Sequence, residues 1–309
     1  MTGARLIGLD WGSSALRAYL IASDGTVLAQ RGNDSGASRL VGDAAGFEAA
    51  LRGLIGDWLR EHAGLPLVAC GMVGSTHGWL EAPYALCPVA LDSLHALTVI
   101  VHGQEGLRVH IVPGVAQRPA GGVPDVMRGE ETQVAGLLVQ QPGLAEQALL
   151  VLPGTHSKWV SVRGGRIESF ATRMTGELFA LLRSHSVLGR LIEPTDEFCG
   201  EAFDQGVHLG KQDQGADLMG RLFSVRTLGL FEELPRTALA DYLSGLLIGS
   251  EIAAALVPGM AEGPLALVGE AALCDRYRRA LQAFGREALC VPGNTAATGL
   301  WQVAEHAGW

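Results

Sequence analysis

Leu150-Val151-Leu152-Pro153-Gly154-Thr155-His156-Ser157-Lys158-Trp159-Val160 reads as an apolar strand, a tight Pro-Gly turn lined with small hydroxyl residues, and a second strand. Such a turn aims backbone N–H groups and hydroxyls at one small volume, an arrangement that suits a phosphate. A turn of the same build lies near the start: Leu6-Ile7-Gly8-Leu9-Asp10-Trp11-Gly12-Ser13-Ser14-Ala15-Leu16-Arg17, with a carboxylate at the strand end. Each turn alone reads more readily as a plain hairpin than as a phosphate loop. One in each half of the chain points to a nucleotide held by two lobes.

The strands around these turns define the fold class. Arg5 to Asp10, Leu16 to Ala22 and Thr26 to Gln30 form an antiparallel meander, with Ser23-Asp24-Gly25 as the second turn. A helix over about Ala44 to His62 follows, carrying Phe47, Leu51, Leu54, Ile55 and Leu59 on one stripe. Leu67 to Gly71 and Val109 to Val112 read as buried strands. The result is a mixed α/β layer. Gly114 to Pro124, rich in Gly, Pro and Ala, reads as a hinge, which gives lobes at 1–120 and 121–309. Past it, Glu130 to Val139 reads as a helix, and Leu149 to Leu152, Trp159 to Val162 and Arg166 to Phe170 repeat the three-strand opening. Helices are predicted at about 176–184, 197–208, 216–224, 237–256 and 273–284, a strand at Leu265 to Val268, and a last helix after Asn294.

Composition narrows the function. The chain has 309 residues, 48% hydrophobic and 18% charged, with a net charge of −9. That suits a compact enzyme and makes nucleic acid and anionic membrane poor partners. Five cysteines without a CxxC, and no leader pattern at the N-terminus, predict reduced thiols in the cytoplasm. The apolar run Leu243 to Val257 contains Ser250 and Glu251 and reads as a core helix.

The chemistry must come from other residues than a Walker A or GxGxxG motif, since neither occurs. Asp10 is placed to hold Mg²⁺, which favours few carboxylates and keeps its waters. The alternative is a turn carboxylate bonded to its own backbone. Arg17 or Lys158 would cover charge on a transferred phosphoryl group. In Arg128-Gly129-Glu130-Glu131-Thr132 two acids sit where a helix begins. They serve either as partners of the helix dipole or, through Glu130 or Glu131, as general base for a hydroxyl. The helix terminus should lower their pKa. The loop Cys70 to Tyr84 gathers polar and aromatic groups suited to a sugar-like ligand.

These stretches, with Met174-Thr175-Gly176-Glu177-Leu178 and Asp241 to Gly249, resemble the 2-dehydro-3-deoxygalactonokinase family, within the acetate/sugar kinase, heat-shock 70 and actin superfamily. The resemblance covers nearly the whole chain. It implies an α/β fold of two RNase H-like lobes, the actin-like ATPase fold, with ATP in the cleft. It further implies an alcohol-group phosphotransferase that uses ATP and Mg²⁺ to phosphorylate 2-dehydro-3-deoxy-D-galactonate at the 6-hydroxyl. Gly12, Ser13, Ser14 and Arg17 match the first phosphate loop, and Gly154, Thr155, His156, Ser157 and Lys158 stand where the second belongs. Leu152-Pro153 replaces the acid that often opens that second loop. Gly269-Glu270 replaces the Gly-Gly of the adenosine loop. Glu130 aligns best with the base. Ser75, His77, Arg128 and Arg173 fall on the substrate side, and the sequence does not choose which cation meets the substrate carboxylate. A homodimer is left open. The rival functions are a same-fold kinase for another small sugar acid such as the gluconate epimer, a non-catalytic sugar-sensing regulator, and an actin-like assembly or chaperone ATPase.

Overall fold

A computed structural model describes residues 3–215, 217–256, 263–293 and 295–309. Ala216, Val257 and Asn294, which bound three of the expected segments, lie outside these. The chain divides into two compact units. Unit 1 runs to Glu146 and includes Val160–Phe170 and the stretch that ends at Trp309. Unit 2 comprises Gln147–Trp159 and Ala171–Gly293. The division by contact thus falls after Glu146, not at residue 120.

Unit 1 opens with the expected meander: β1 (Ala4–Trp11), β2 (Leu16–Ala22) and β3 (Val27–Asn33). From Leu6 to Trp11 every residue of β1 is buried, the mark of a strand covered on both faces. Helix α1 (Ala44–Glu61) follows, capped by the Asp43 carboxylate on the Gly46 N–H. It buries Phe47, Leu51, Ile55 and Trp58; the expected Leu54 and Leu59 are only partly covered.

After α1 come β4 (Leu67–Gly71), β5 (Tyr84–Leu86), β6 (Val89–Ala90), β7 (Val99–His102), β8 (Arg108–Ile111), β9 (Gly114–Gln117) and β10 (Asp125–Met127). The main sheet has the order β3-β2-β1-β4-β8-β7, with β1, β4 and β8 parallel. The expected hinge is partly strand. Gly114–Gln117 pairs with β5 on one side and β10 on the other, and buried Val115 holds it there. Composition alone misreads this piece because its backbone bonds are satisfied by neighbours distant in sequence. Helix α2 (Glu130–Gln140) completes this part.

In the second half β11 (Gln147–Leu152), β12 (Ser157–Arg163) and β13 (Arg166–Arg173) are followed by α3 (Thr175–His185), α4 (Gly200–Lys211), α5 (Leu218–Leu222), α6 (Ser224–Leu230) and α7 (Leu239–Ala255). The helix expected over 216–224 is therefore two short ones, the first capped by Asp217. The chain continues with β14 (Leu265–Gly269), α8 (Ala271–Gln282), β15 (Leu289–Pro292) and α9 (Ala296–Ala307), the last in unit 1. The strand order β13-β12-β11-β14-β15 repeats β3-β2-β1-β4-β8, so the internal repetition of topology is real.

Unit 2 packs α4 on α7 at close range. A side chain at Gly206 would strike the Tyr242 carbonyl, and one at Gly245 the Phe203 carbonyl. Within unit 1, α9 crosses α2 in the same manner at Gly136 and Gly299, and sets Leu300 against Gly8 of β1. Arg236–Ala255 is long and apolar enough to cross a membrane, but most of it is buried in the fold, as expected of a core helix.

Candidate active site

In unit 1 the chemistry collects at the carboxyl ends of parallel β1 and β4, where α/β sheets characteristically bind ligands. Asp10 pairs in register with Cys70 on one side and Arg17 on the other. Its carboxylate is nearly buried, and Oδ2 accepts a hydrogen bond from Arg17 Nη1 at 3.2 Å. Gly12, Ser13 and Ser14 form the turn beyond it, closed by the Gly12 N–H to the Ala15 carbonyl at 3.0 Å. Both serines are exposed. The turn is braced from behind, where the Ala37 and Ser38 N–H groups donate to the Gly12 and Ser13 carbonyls.

Two glycines bring α2 to the same place. Gly71 ends β4 at φ +92°, where a Cβ would lie 2.7 Å from the Trp11 carbonyl oxygen. Gly129, at φ +106°, precedes α2. Neither conformation nor space admits a side chain. Glu130 and Glu131 therefore start α2 beside the end of β4, and the Cys70 thiol feels the charges of Asp10, Glu131 and Glu130 together. Burial is the larger cause of the raised pKa of this thiol.

The two acids are not equivalent. Glu131 is fully buried. Its Oε2 accepts the Gly129 N–H at 2.6 Å and its Oε1 the Thr132 hydroxyl at 2.8 Å. Burial, with the Glu130 charge adding to it, raises the Glu131 pKa from 4.5 to about 7 against the opposing pull of those bonds. The lowering expected from the helix terminus is thus reversed at Glu131, because desolvation outweighs the dipole and the hydrogen bonds. Glu130 is half-buried, and its Oε2 accepts the Arg128 N–H at 3.0 Å.

The substrate-side loop is folded on itself. Gly78, Trp79 and Ala82 donate to the carbonyls of Ser75, Val73 and Gly74. Trp79 packs into a cluster with Trp11 and Phe47, at centroid distances of 6.0 Å to each. His77 is exposed and Ser75 half-buried, while Arg128 lies inside with 8% of its surface exposed.

In unit 2 the second hairpin exposes Thr155 and His156 and leaves Gly154 half-buried. Helix α3 butts against it: Gly176 leaves room only for the Gly154 carbonyl, and the Glu177 N–H donates to Thr155 O at 3.0 Å. His156 Nε2 meets Glu177 Oε2 at 2.5 Å. Ser157 and Lys158 face inward, contrary to a direct role for both in holding phosphate. The Ser157 hydroxyl donates to Glu251 Oε1 at 2.6 Å, and Lys158 Nζ to Thr172 Oγ1 at 2.8 Å. Arg173 is half-buried. Gly269 closes β14 at φ +152°, and the Glu270 that follows it caps α8, accepting the Ala272 and Leu273 N–H groups at 3.0 and 2.9 Å. The departure from Gly-Gly is a helix cap.

Glu251 is read from the sequence only as a polar residue of the core helix, with no partner assigned to it. Besides Ser157 it accepts bonds from Trp159 Nε1 at 2.6 Å and Tyr277 OH at 2.7 Å. An acid amid an apolar helix was the available signal. Unit 2 also holds a cavity of about 250 Å³, lined among others by Gly154, Gly176, Asp241, Ser244, Arg276 and Tyr277. A larger groove of about 840 Å³ in unit 1 is lined by Ile7 and Leu67, toward the opposite strand ends from Asp10.

Among the described residues no group of three or more His, Cys, Asp or Glu side chains could cage a metal. A lone buried carboxylate fits Mg²⁺, which is characteristically held by one or two carboxylates together with waters and substrate phosphates.

The strand order and the paired turns define an actin-like ATPase fold. At 14% identity, the activator of 2-hydroxyisocaproyl-CoA dehydratase from Clostridium difficile, solved with ADPNP, shares that fold with a TM-score of 0.50 over 98% of this chain and 96% of its own. The chain belongs to the 2-keto-3-deoxy-galactonokinase family, whose model matches residues 10–303. It is 38% identical to the 2-dehydro-3-deoxygalactonokinase of Escherichia coli over 95% of this chain and 94% of that one. A crystal structure from Sinorhizobium meliloti, provisionally given the same enzyme name, is 36% identical with a TM-score of 0.87, covering 98% of this chain and 99% of its own.

Proposed function

We propose that this protein transfers the γ-phosphoryl group of ATP to the 6-hydroxyl of 2-dehydro-3-deoxy-D-galactonate. The observation that carries this reading is the gathering of Asp10, Glu130 and Glu131 at one strand end in a chain of this family. Glu130, half-buried at the start of α2, orients the acceptor hydroxyl and takes its proton. A weak base suffices, because in a loose transition state the proton leaves late. Glu131 is buried with both oxygens engaged and keeps the 128–132 turn in place.

Asp10 holds Mg²⁺, which when bound neutralises charge building on the phosphates. Arg17 fixes the Asp10 carboxylate. Gly12, Ser13 and Ser14, and on the second hairpin Gly154, Thr155 and His156, supply donors to phosphate oxygens. Ser157 and Lys158 anchor that hairpin. The 250 Å³ cavity that includes Gly154 takes the nucleoside. Ser75, His77 and Arg173 are the remaining polar groups proposed for the sugar acid. All five cysteines are free, in keeping with a cytoplasmic enzyme.

The test is ADP release with 2-dehydro-3-deoxygalactonate, its gluconate epimer and no sugar. The expected result is turnover that depends on the sugar and favours the galactonate form. Equal turnover without sugar would overturn the kinase reading in favour of an ATPase, and preference for the epimer would overturn the substrate.

A further inference from the structure

Three cationic side chains are buried among the described residues: Arg128, Lys158 and Arg221. Lys158 is bonded to Thr172, and Arg221 to the carbonyls of Leu209 and Gln212. Arg128 differs. Its Nη2 donates to the Ala82 carbonyl at 2.8 Å, but Nε and Nη1 have no acceptor at all. Among the described residues it forms no ion pair. The Tyr84 ring covers one face of the guanidinium, 4.2 Å from centroid to Cζ. The folded loop lies against its edge, so near that a Cβ at Gly74 would stand 3.1 Å from Nη1. A desolvated cation with two unused donors is costly unless an anion completes it.

We infer that Arg128 is the seat of the substrate's carboxylate and sets the preference for a sugar acid over a neutral sugar. The inference rests on the proposed sugar-acid reading and deepens it. The placement follows from the chain: Arg128 lies two residues before Glu130, whose carboxylate holds the Arg128 backbone N–H. One end of a sugar acid offers the hydroxyl to Glu130 while the other offers a carboxylate. A carboxylate oxygen accepts from Nη1, the orphaned donor that faces Gly74, and the loop over residues 72–82 shifts to admit it. Away from water such charge-assisted bonds are at their strongest. His77 is exposed, and Arg173, only half-buried, has one orphaned donor, Nε, where the buried Arg128 has two.

The experiment measures binding by calorimetry, without nucleotide, of 2-dehydro-3-deoxygalactonate and of its primary amide, alongside kcat/KM for both. The variants are Arg128→Gln, Arg128→Lys and Tyr84→Leu. Wild type should favour the acid. Arg128→Gln should weaken acid binding by roughly 10–100-fold and leave amide binding nearly unchanged. Arg128→Lys should recover part of the preference. Tyr84→Leu alters a strand residue that is exposed, so its fold is not at stake, and it should lower affinity for the acid alone. An acid-to-amide ratio unchanged in Arg128→Gln, or, should that variant not fold, in both Arg128→Lys and Tyr84→Leu, overturns the inference. Because the ratio is read from binding, its collapse stands even if the acid is not turned over; lack of turnover by wild type would strike the proposed function instead.

Discussion

A Cβ on Gly129 would stand 3.1 Å from the Gly71 Cα, so the turn before α2 rests directly on the end of β4. This backbone-to-backbone contact is what sets Glu130 and Glu131 beside Asp10. Gly71→Ala should therefore cost roughly 1–3 kcal/mol in strain at positive φ. It should also lower kcat by displacing Glu130. Denaturant melts and steady-state kinetics on one preparation check both effects, and a variant of unchanged kcat would detach the glycine contact from catalysis.

The two acids should separate by substitution. Glu130→Gln should lower kcat by roughly 10²–10⁴-fold, the usual worth of a general base. Its affinity for nucleotide, followed by fluorescence titration, should hold. Glu131→Gln keeps both local hydrogen bonds in exchanged form, since its amide can donate to Thr132 Oγ1 while its oxygen accepts from Gly129. It should keep most of its kcat. The reverse order of losses would move the base to Glu131.

Glu131 also makes stability depend on pH. Its pKa stands at 4.5 in the ordinary state and about 7 in the fold. Between these values the folded chain holds a proton that the unfolded chain has released, so stability is full below the lower value and declines toward the upper one. Relative to wild type, Glu131→Gln should gain stability from pH 5 to pH 8, by an amount on the order of 3 kcal/mol. Parallel melting curves for the two proteins across that range would count against the buried proton.

Glu251 ties the second hairpin to the core of unit 2 through Ser157, Trp159 and Tyr277. Glu251→Leu would strand three donors and should destabilise the protein by roughly 3–5 kcal/mol. Glu251→Gln should cost less. Urea denaturation distinguishes them, and KM for ATP should rise in any folded variant as the hairpin loosens.

Removal of divalent cations with EDTA should abolish turnover, and added Mg²⁺ should restore it. Asp10→Asn should raise the Mg²⁺ concentration needed for half-maximal rate, since a neutral oxygen is a poorer ligand. An unaltered Mg²⁺ titration in that variant would place the metal elsewhere.

Local signals carried most of this structure. The meander, β4, α2 and both hairpins follow from apolar runs broken by Gly, Ser and Asp, and their boundaries shift by only a few residues. Three-dimensional pairing hid the rest. Gly114–Gln117 looks like a hinge until β5 and β10 satisfy its backbone. Which residues of the second hairpin face outward depends on Glu251, some ninety residues away in the chain. The pairing of Asp10 with Arg17 could be read from the short hairpin between them, but the burial of Glu131 and the orphaned donors of Arg128 could not. Burial is a property of the packed loop and not of the motif.

The chain departs from unit 1 at Glu146 and comes back to it for good only with α9, whose Gly299 receives the Thr132 carbonyl of the helix that starts with the two acids. During synthesis the whole of unit 2 must emerge from the ribosome before this seam can close. A nascent or prematurely terminated chain would lack the support beneath Glu130, and a fragment meant to reproduce unit 1 would need both Val160–Phe170 and α9 restored behind residue 146.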